Sequence, residues 1–128
     1  MKKSIKIYTD FDGTISINDV GDKLFQTFGI NGWKQAIEDW KAGFISSKEC
    51  LSRCCAVTPV TPEQFADFAD SQQLDPHFND FIEYCNKHNY PVTVLSDGLD
   101  NYITRILAKH GFGDLPVIAN HVVFENGN

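Results

Sequence analysis

Three short β-rich runs constrain the fold more than anything else in the sequence: SIKIYTDF at residues 4–11, PVTVLS at 91–96 and PVIA at 116–119. Ile5, Ile7 and Tyr8 mark the first as a strand, and the apolar residues of the three runs are too continuous for a half-exposed sheet. Between the last two runs, Ile103, Ile106, Leu107 and His110 recur on one helical face. Asp100 stands in the N-cap position and Gly111 at the stop. Strand, helix, strand in that order requires a crossover, so the sequence predicts an α/β fold with a parallel sheet covered on both faces. HVVF at 121–124 is expected either to extend the third strand or to fold back as a hairpin.

The stretch between the first two strands is long and helical. Val20, Leu24, Phe25 and Phe28 predict one helix, followed by Gly29. Trp33, Ala36, Ile37 and Trp40 predict a second, followed by Gly43. Ser46 and Glu49 form a capping-box pair that opens a third. Thr61, Pro62 and Gln64 supply an N-cap, a proline at the first helical position and a capping partner for a fourth. Asp75 and Pro76 are expected to open a fifth, with Phe78, Phe81, Ile82 and Cys85 on its apolar face. A crossover needs one helix, so the first four read as an insertion. The expected division is an α/β core of residues 1–16 and 73–128 with a helical cap over 17–72.

Charge and composition narrow the function. Seventeen acidic against eleven basic residues give a net charge of -6, which disfavours nucleic acid and anionic membrane surfaces as partners. No apolar run approaches the roughly 18 residues of a transmembrane helix, and a cytoplasmic protein is expected. Cys50, Cys54, Cys55 and Cys85 have no common zinc spacing and no histidine beside them, so they read as core thiols rather than a metal or redox centre. Trp33, Trp40 and most phenylalanines read as packing, and the four histidines form no ligand pattern.

The chemistry concentrates at two strand ends. In Asp10-Phe11-Asp12-Gly13-Thr14, strand alternation would put both aspartates on one face, at the carboxyl end where α/β sheets bind ligands. Two carboxylates that close call for a cation or a shared proton. A plain strand-to-turn junction explains Asp-Gly but not a second aspartate two residues earlier. Ser96-Asp97-Gly98 follows the second run and offers a hydroxyl and backbone amides, a phosphate cradle if it is more than an ordinary turn.

DFDGT, a helical insertion, and then a strand ending in Ser-x-Gly resemble the haloacid dehalogenase (HAD) superfamily. The position of the insertion resembles its phosphoserine-phosphatase-like subgroup. DFDGTISIND, LSDGLDNYI and IANHVVF are most similar to the methionine-salvage phosphatases that act on 2-hydroxy-3-keto-5-methylthiopentenyl-1-phosphate. The resemblance implies a partial HAD-like Rossmannoid sheet with a cap after the first strand, and a hydrolase of a small phosphorylated metabolite. It implies Asp10 as the nucleophile that becomes an aspartyl-phosphate and Asp12 as general acid and base. It implies Mg2+ held by the Asp10 carboxylate and the Asp12 main-chain carbonyl. Ser96 would bind the phosphoryl group, assisted by the amides of Asp97 and Gly98. Asn18 and Asp19 fall where cap-entry residues of the subgroup approach substrate.

The sequence departs from the family in two ways. Asp97 stands where the subgroup often has glycine, and no third-motif basic residue or fourth acidic motif follows before Asn128. The expectation is either a truncated product or fragment, or a chain that pairs with another copy or a separate chain along the exposed edge of its first strand. Two other functions are open: a HAD-like domain that binds metal or phosphate ligand without efficient turnover, and a receiver-like domain phosphorylated on Asp10. Receivers lack a long helical insertion after that strand, which counts against the second.

Overall fold

The computed structural model describes residues 4–125. Its elements run β1 (Ile7–Thr9), α1 (Val20–Phe28), α2 (Trp33–Lys41), α3 (Ser47–Ala56), α4 (Pro62–Asp70), α5 (Phe78–Lys87), β2 (Val92–Leu99), α6 (Asp100–Lys109) and β3 (Val117–Asn120). The strands form one sheet in the order β1-β2-β3. Both pairings are parallel, with Thr9 opposite Val94 and Leu95 opposite Ile118. The α/β class and the parallel sheet are as the sequence predicts.

Helix boundaries follow local capping chemistry. Asp19 caps α1 by accepting from the Asp22 amide at 2.9 Å. Ser46 caps α3 by accepting from the Glu49 amide at 3.1 Å. Thr61 and Gln64 complete both halves of a capping box on α4, which satisfies two otherwise orphaned amides. Gly111 follows α6 at φ 87°, a conformation that costs a side-chain-bearing residue more than glycine.

Two expected caps are displaced. Asp100 is the first residue of α6 and Leu99 is its N-cap, because the Asp100 carboxylate is taken by His121 Nδ1 at 2.6 Å. Asp75 turns on itself, accepting from the His77 amide at 2.8 Å, and α5 begins after His77. Phe81 and His110 were expected on apolar faces but are exposed. Residues 121–125 form neither strand nor hairpin. Asn101 holds them instead, donating to the Val122 carbonyl at 2.9 Å and accepting from its amide at 3.0 Å.

One continuous core joins the sheet to the helices: Val94, Ile103 and Ile106 beneath the sheet are fully buried, as are Val20 and Ala36 in α1 and α2. Cover on both sheet faces, expected from the apolar runs, is not found among the described residues. Val92 and Val94 are buried, while Tyr8, Leu95 and Ile118 on the opposite face are 59, 50 and 56% exposed. Alternate residues of a strand face opposite ways, so the helices cover one side only.

The chain leaves β1 and returns to α5 side by side. Ser16 and Leu74 form an antiparallel bridge, the Ile17 amide donates to the Gln73 carbonyl at 3.0 Å, and the Asp75 amide to the Ile15 carbonyl at 2.7 Å. Farther along, α4 rests on α6 through a bidentate pair, Arg105 Nε and Nη2 to Asp70 at 2.7 and 2.9 Å. The four cysteines are free thiols. Burial pushes the Cys54 thiol up to about 12 and the Cys55 and Cys85 thiols upward, so these three are weak nucleophiles. No helix among the described residues is long and apolar enough to cross a membrane.

Candidate active site

The site grows out of the turn that follows β1. The strand ends at Thr9, so Asp10 and Asp12 are brought together by the turn and not by strand alternation. Phe11, fully buried, anchors that turn, and its carbonyl accepts from the amides of Thr14, Ile15 and Ser16 at 3.1, 2.9 and 3.1 Å. Gly13 at φ 72° lets the chain reverse, and its amide reaches both the Asn18 carbonyl and Ser16 Oγ. Ser16 is 1% exposed and closes the loop by donating to the Asn18 carbonyl at 2.6 Å.

This turn leaves the two carboxylates in different environments. Asp10 is exposed, and its Oδ1 accepts from the Phe11 amide at 2.8 Å. Asp12 is half-buried. Its Oδ1 accepts from the amides of Val20 and Gly21 at 2.9 and 3.3 Å, at the start of α1. Its Oδ2 accepts from the Tyr102 hydroxyl at 2.8 Å and lies 3.5 Å from Ser96 Oγ. Loss of solvent raises the Asp12 pKa, against the Tyr102 and backbone hydrogen bonds that lower it; the Asp19 charge adds to the rise. Burial, then the Asp12 carboxylate, pushes the Tyr102 phenol far up, so it remains a donor.

Ser96-Asp97-Gly98 is not a turn. It continues β2 as extended chain, with the pairing to β3 irregular between Leu95 and Leu99. The Gly98 amide donates to Ser96 Oγ at 2.9 Å, and the Asp97 carbonyl accepts from Asn120 Nδ2 at 2.9 Å. An irregular strand of this kind re-aims side chains beside a site. A cavity of about 490 Å³ lies over these residues, and Asp10, Asp12, Ser96, Asp97 and Gly98 all line it. Its far wall comes from α1–α3: Phe25, Ile37, Trp40 and Leu51, with Lys41 as the one basic lining residue among those described.

Sequence reasoning missed Tyr102 and the Val20 and Gly21 amides. Tyr102 lies 90 positions from Asp12 and resembles any other helix-face aromatic. The Val20 and Gly21 contacts carried a faint signal, the acidic N-cap Asp19 opening α1. For a cation, the described residues contain no cluster of three acidic, histidine or cysteine side chains. The donor set is one solvent-facing carboxylate, Asp10, with the main chain of Asp12 beside it. That suits Mg2+, which binds through one or two carboxylates and keeps several waters. The Asp12 side chain is already engaged by four groups and is not a ligand in this arrangement.

Burial raises the Asp12 pKa, so ionising this carboxyl in the folded chain costs stability, with a definite sign. A carboxyl whose folded pKa is raised contributes stability at acidic pH that is lost as pH rises through the folded value. Asp12→Asn is therefore expected to gain on the native sequence in unfolding midpoint as pH rises through the folded Asp12 pKa. The gain should be lost as pH falls through the range where Asp12 takes up a proton. Urea midpoints at neutral and mildly acidic pH measure it, and a gain on acidification instead would refute the assignment.

The chain is similar to known phosphatases along most of its length. The chain is 27% identical over 122 residues to a 2-hydroxy-3-keto-5-methylthiopentenyl-1-phosphate phosphatase of Brevibacillus brevis, across 94% of this chain and 55% of that protein. It is 30% identical over 129 residues to a polyol phosphate phosphatase of Saccharomyces cerevisiae, across 91% of this chain and 51% of that one. The chain thus spans about half the length of the curated relatives it matches. Among solved structures, a phosphoserine phosphatase captured as a phospho-aspartyl intermediate analogue superposes with a TM-score of 0.78 at 21% identity, over 98% of this chain and 60% of that one. This last likeness is one of fold. The haloacid dehalogenase-like hydrolase family matches residues 7–128, nearly the whole sequence and every element from β1 to β3, and the chain belongs to that family.

Proposed function

We propose that this chain carries the nucleophile, acid–base and phosphate-binding parts of a phosphomonoester hydrolase acting on a small phosphorylated metabolite. One observation carries the reading: two carboxylates in contrasting environments, one exposed and one desolvated, share a cavity with Ser96 of β2. Contrasting environments divide the labour between a nucleophile and an acid. The Asp10 carboxylate attacks phosphorus, and the bond to the leaving oxygen breaks as that oxygen takes a proton from Asp12. Asp12, now ionised, accepts a proton from water as the water oxygen attacks the aspartyl-phosphate. Inorganic phosphate leaves and Asp10 is regenerated. Ser96 Oγ, with the amide of Asp97, binds the phosphoryl oxygens; the Gly98 amide, expected to assist directly, instead donates to Ser96 Oγ and orients it.

Mg2+ would be held by the Asp10 carboxylate and the Asp12 main-chain carbonyl, and when bound it neutralises charge on the transferring group. Residues 17–72 act as the cap. Its apolar wall of Phe25, Ile37, Trp40 and Leu51 suits an alkyl or thioether tail on the substrate, in keeping with the named activity of the Brevibacillus relative. Release of phosphate from p-nitrophenyl phosphate with Mg2+, abolished by a chelator, tests the reading. A second reading, ligand or metal binding without efficient turnover, is favoured by the lining itself: among the described residues, Asp10, Asp12, Asp19, Asp22 and Asp97 face it with Lys41 alone to offset them. Phosphate binding without release would select it.

The β1 edge belongs to the same proposal. Among the described residues β1 pairs with β2 only, and Tyr8 and Leu95 are exposed apolar residues on these two strands. Such an edge associates with another strand. Light scattering at low concentration is expected to give a mass above that of one chain of 14.4 kDa; a well-folded monomer would exclude self-association along this edge.

A further inference from the structure

Tyr102 is fully buried, and its one polar atom, the hydroxyl, must find a partner there. It donates to Asp12 Oδ2 at 2.8 Å. The ring is fixed by α6 and tilted against Phe11 with centroids 6.2 Å apart, so the hydroxyl arrives from a rigid element. Two glycines border it. A β-carbon on Gly98 would overlap the Tyr102 hydroxyl and stand 2.5 Å from Asp12 Oδ2; one on Gly21 would stand 3.1 Å from the same hydroxyl. Neither glycine has a positive φ, so space, and not backbone freedom, is what each provides.

We propose that the Tyr102 hydroxyl is the positioning group of the acid–base carboxylate, and that Gly98 and Gly21 are glycines because this hydroxyl occupies the space a side chain would need. The inference rests on the function proposed above and assigns Gly98 a reason beyond its amide. Asp12 Oδ1 is committed to the amides of Val20 and Gly21, so Oδ2 is the oxygen that carries the transferable proton. A carboxylic O–H accepts from one partner while donating to another. Tyr102 therefore holds Oδ2 in place and leaves its proton free for the leaving oxygen.

Tyr102→Phe removes the hydroxyl and keeps the ring. With an alkyl phosphate, whose leaving oxygen needs a proton, kcat is expected to fall about tenfold or more at unchanged KM. With p-nitrophenyl phosphate, whose leaving group departs as a stable anion, the phenolate-releasing first step, read in a single turnover, should slow far less than the same step with the alkyl phosphate, while the later hydrolysis, which uses Asp12 as base with either substrate, slows alike. Equal slowing of the first step on the two substrates, or none, would overturn the role. Denaturation provides a readout that needs no turnover, so a chain without phosphatase activity would defeat the proposed function and still decide this point. Asp12→Ala and Gly98→Ala should each lower the unfolding midpoint less in the Tyr102→Phe background than in the native sequence. Strictly additive shifts would show that the hydroxyl is not lodged between these residues.

Discussion

Asp10→Asn is expected to reduce phosphate release from p-nitrophenyl phosphate by about four orders of magnitude or more, because it removes the nucleophile outright. A carboxamide oxygen is neutral, a poor nucleophile and a weak ligand for a hard cation, so the substitution takes away both functions proposed for that side chain. The loss should come without unfolding. Asp10 is exposed, and the one hydrogen bond of its side chain, from the Phe11 amide to Oδ1, is one that an asparagine oxygen also accepts. Circular dichroism and the urea midpoint should therefore match the native sequence. Phosphate release within about tenfold of native would remove Asp10 from the nucleophile's role.

Phe11→Ala is expected to cost about 3–5 kcal/mol of folding stability, the range for emptying a buried phenylalanine site. A domain of this size has only about 5–15 kcal/mol to lose. Phe11 has no exposed surface, touches Tyr102 and sits between the two aspartates of the site. Its carbonyl also organises the turn that aims them, so the variant should lose any phosphatase activity before it loses its fold. Urea unfolding followed by tryptophan fluorescence measures the first effect. An unchanged midpoint would mean that the residue between the aspartates is not part of the core.

These two expectations differ in how far the sequence alone supports them. Asp10 was identified from its place in DFDGT, and the structure puts it with Asp12, Ser96, Asp97 and Gly98 around one cavity. Strand alternation does not bring the two aspartates together, since β1 ends before them and a turn anchored on Phe11 does so. The same division appears in the helices. Ser46, Thr61 with Gln64, and Gly111 act within one turn of the helix end they define, and their consequences could be read from spacing. Asp75 and Asp100 carry the same capping chemistry but found other partners. Asp75 took a nearer amide, and Asp100 took His121, 21 residues away.

What the sequence determined by itself was everything fixed by near neighbours: six helical segments, three strands, the long helical insertion and the aspartate motif. Tertiary structure alone decided that one sheet face stays bare, that Ser96-Asp97-Gly98 runs as extended strand, and that Asp12 is gripped by Tyr102 and by the first amides of α1. Periodicity reports which side chains can share a face, and capping reports where a helix can begin. Neither carries information about which distant groups meet, because those contacts are chosen by packing the whole chain at once, where burial and the need to pair each buried polar atom are satisfied together.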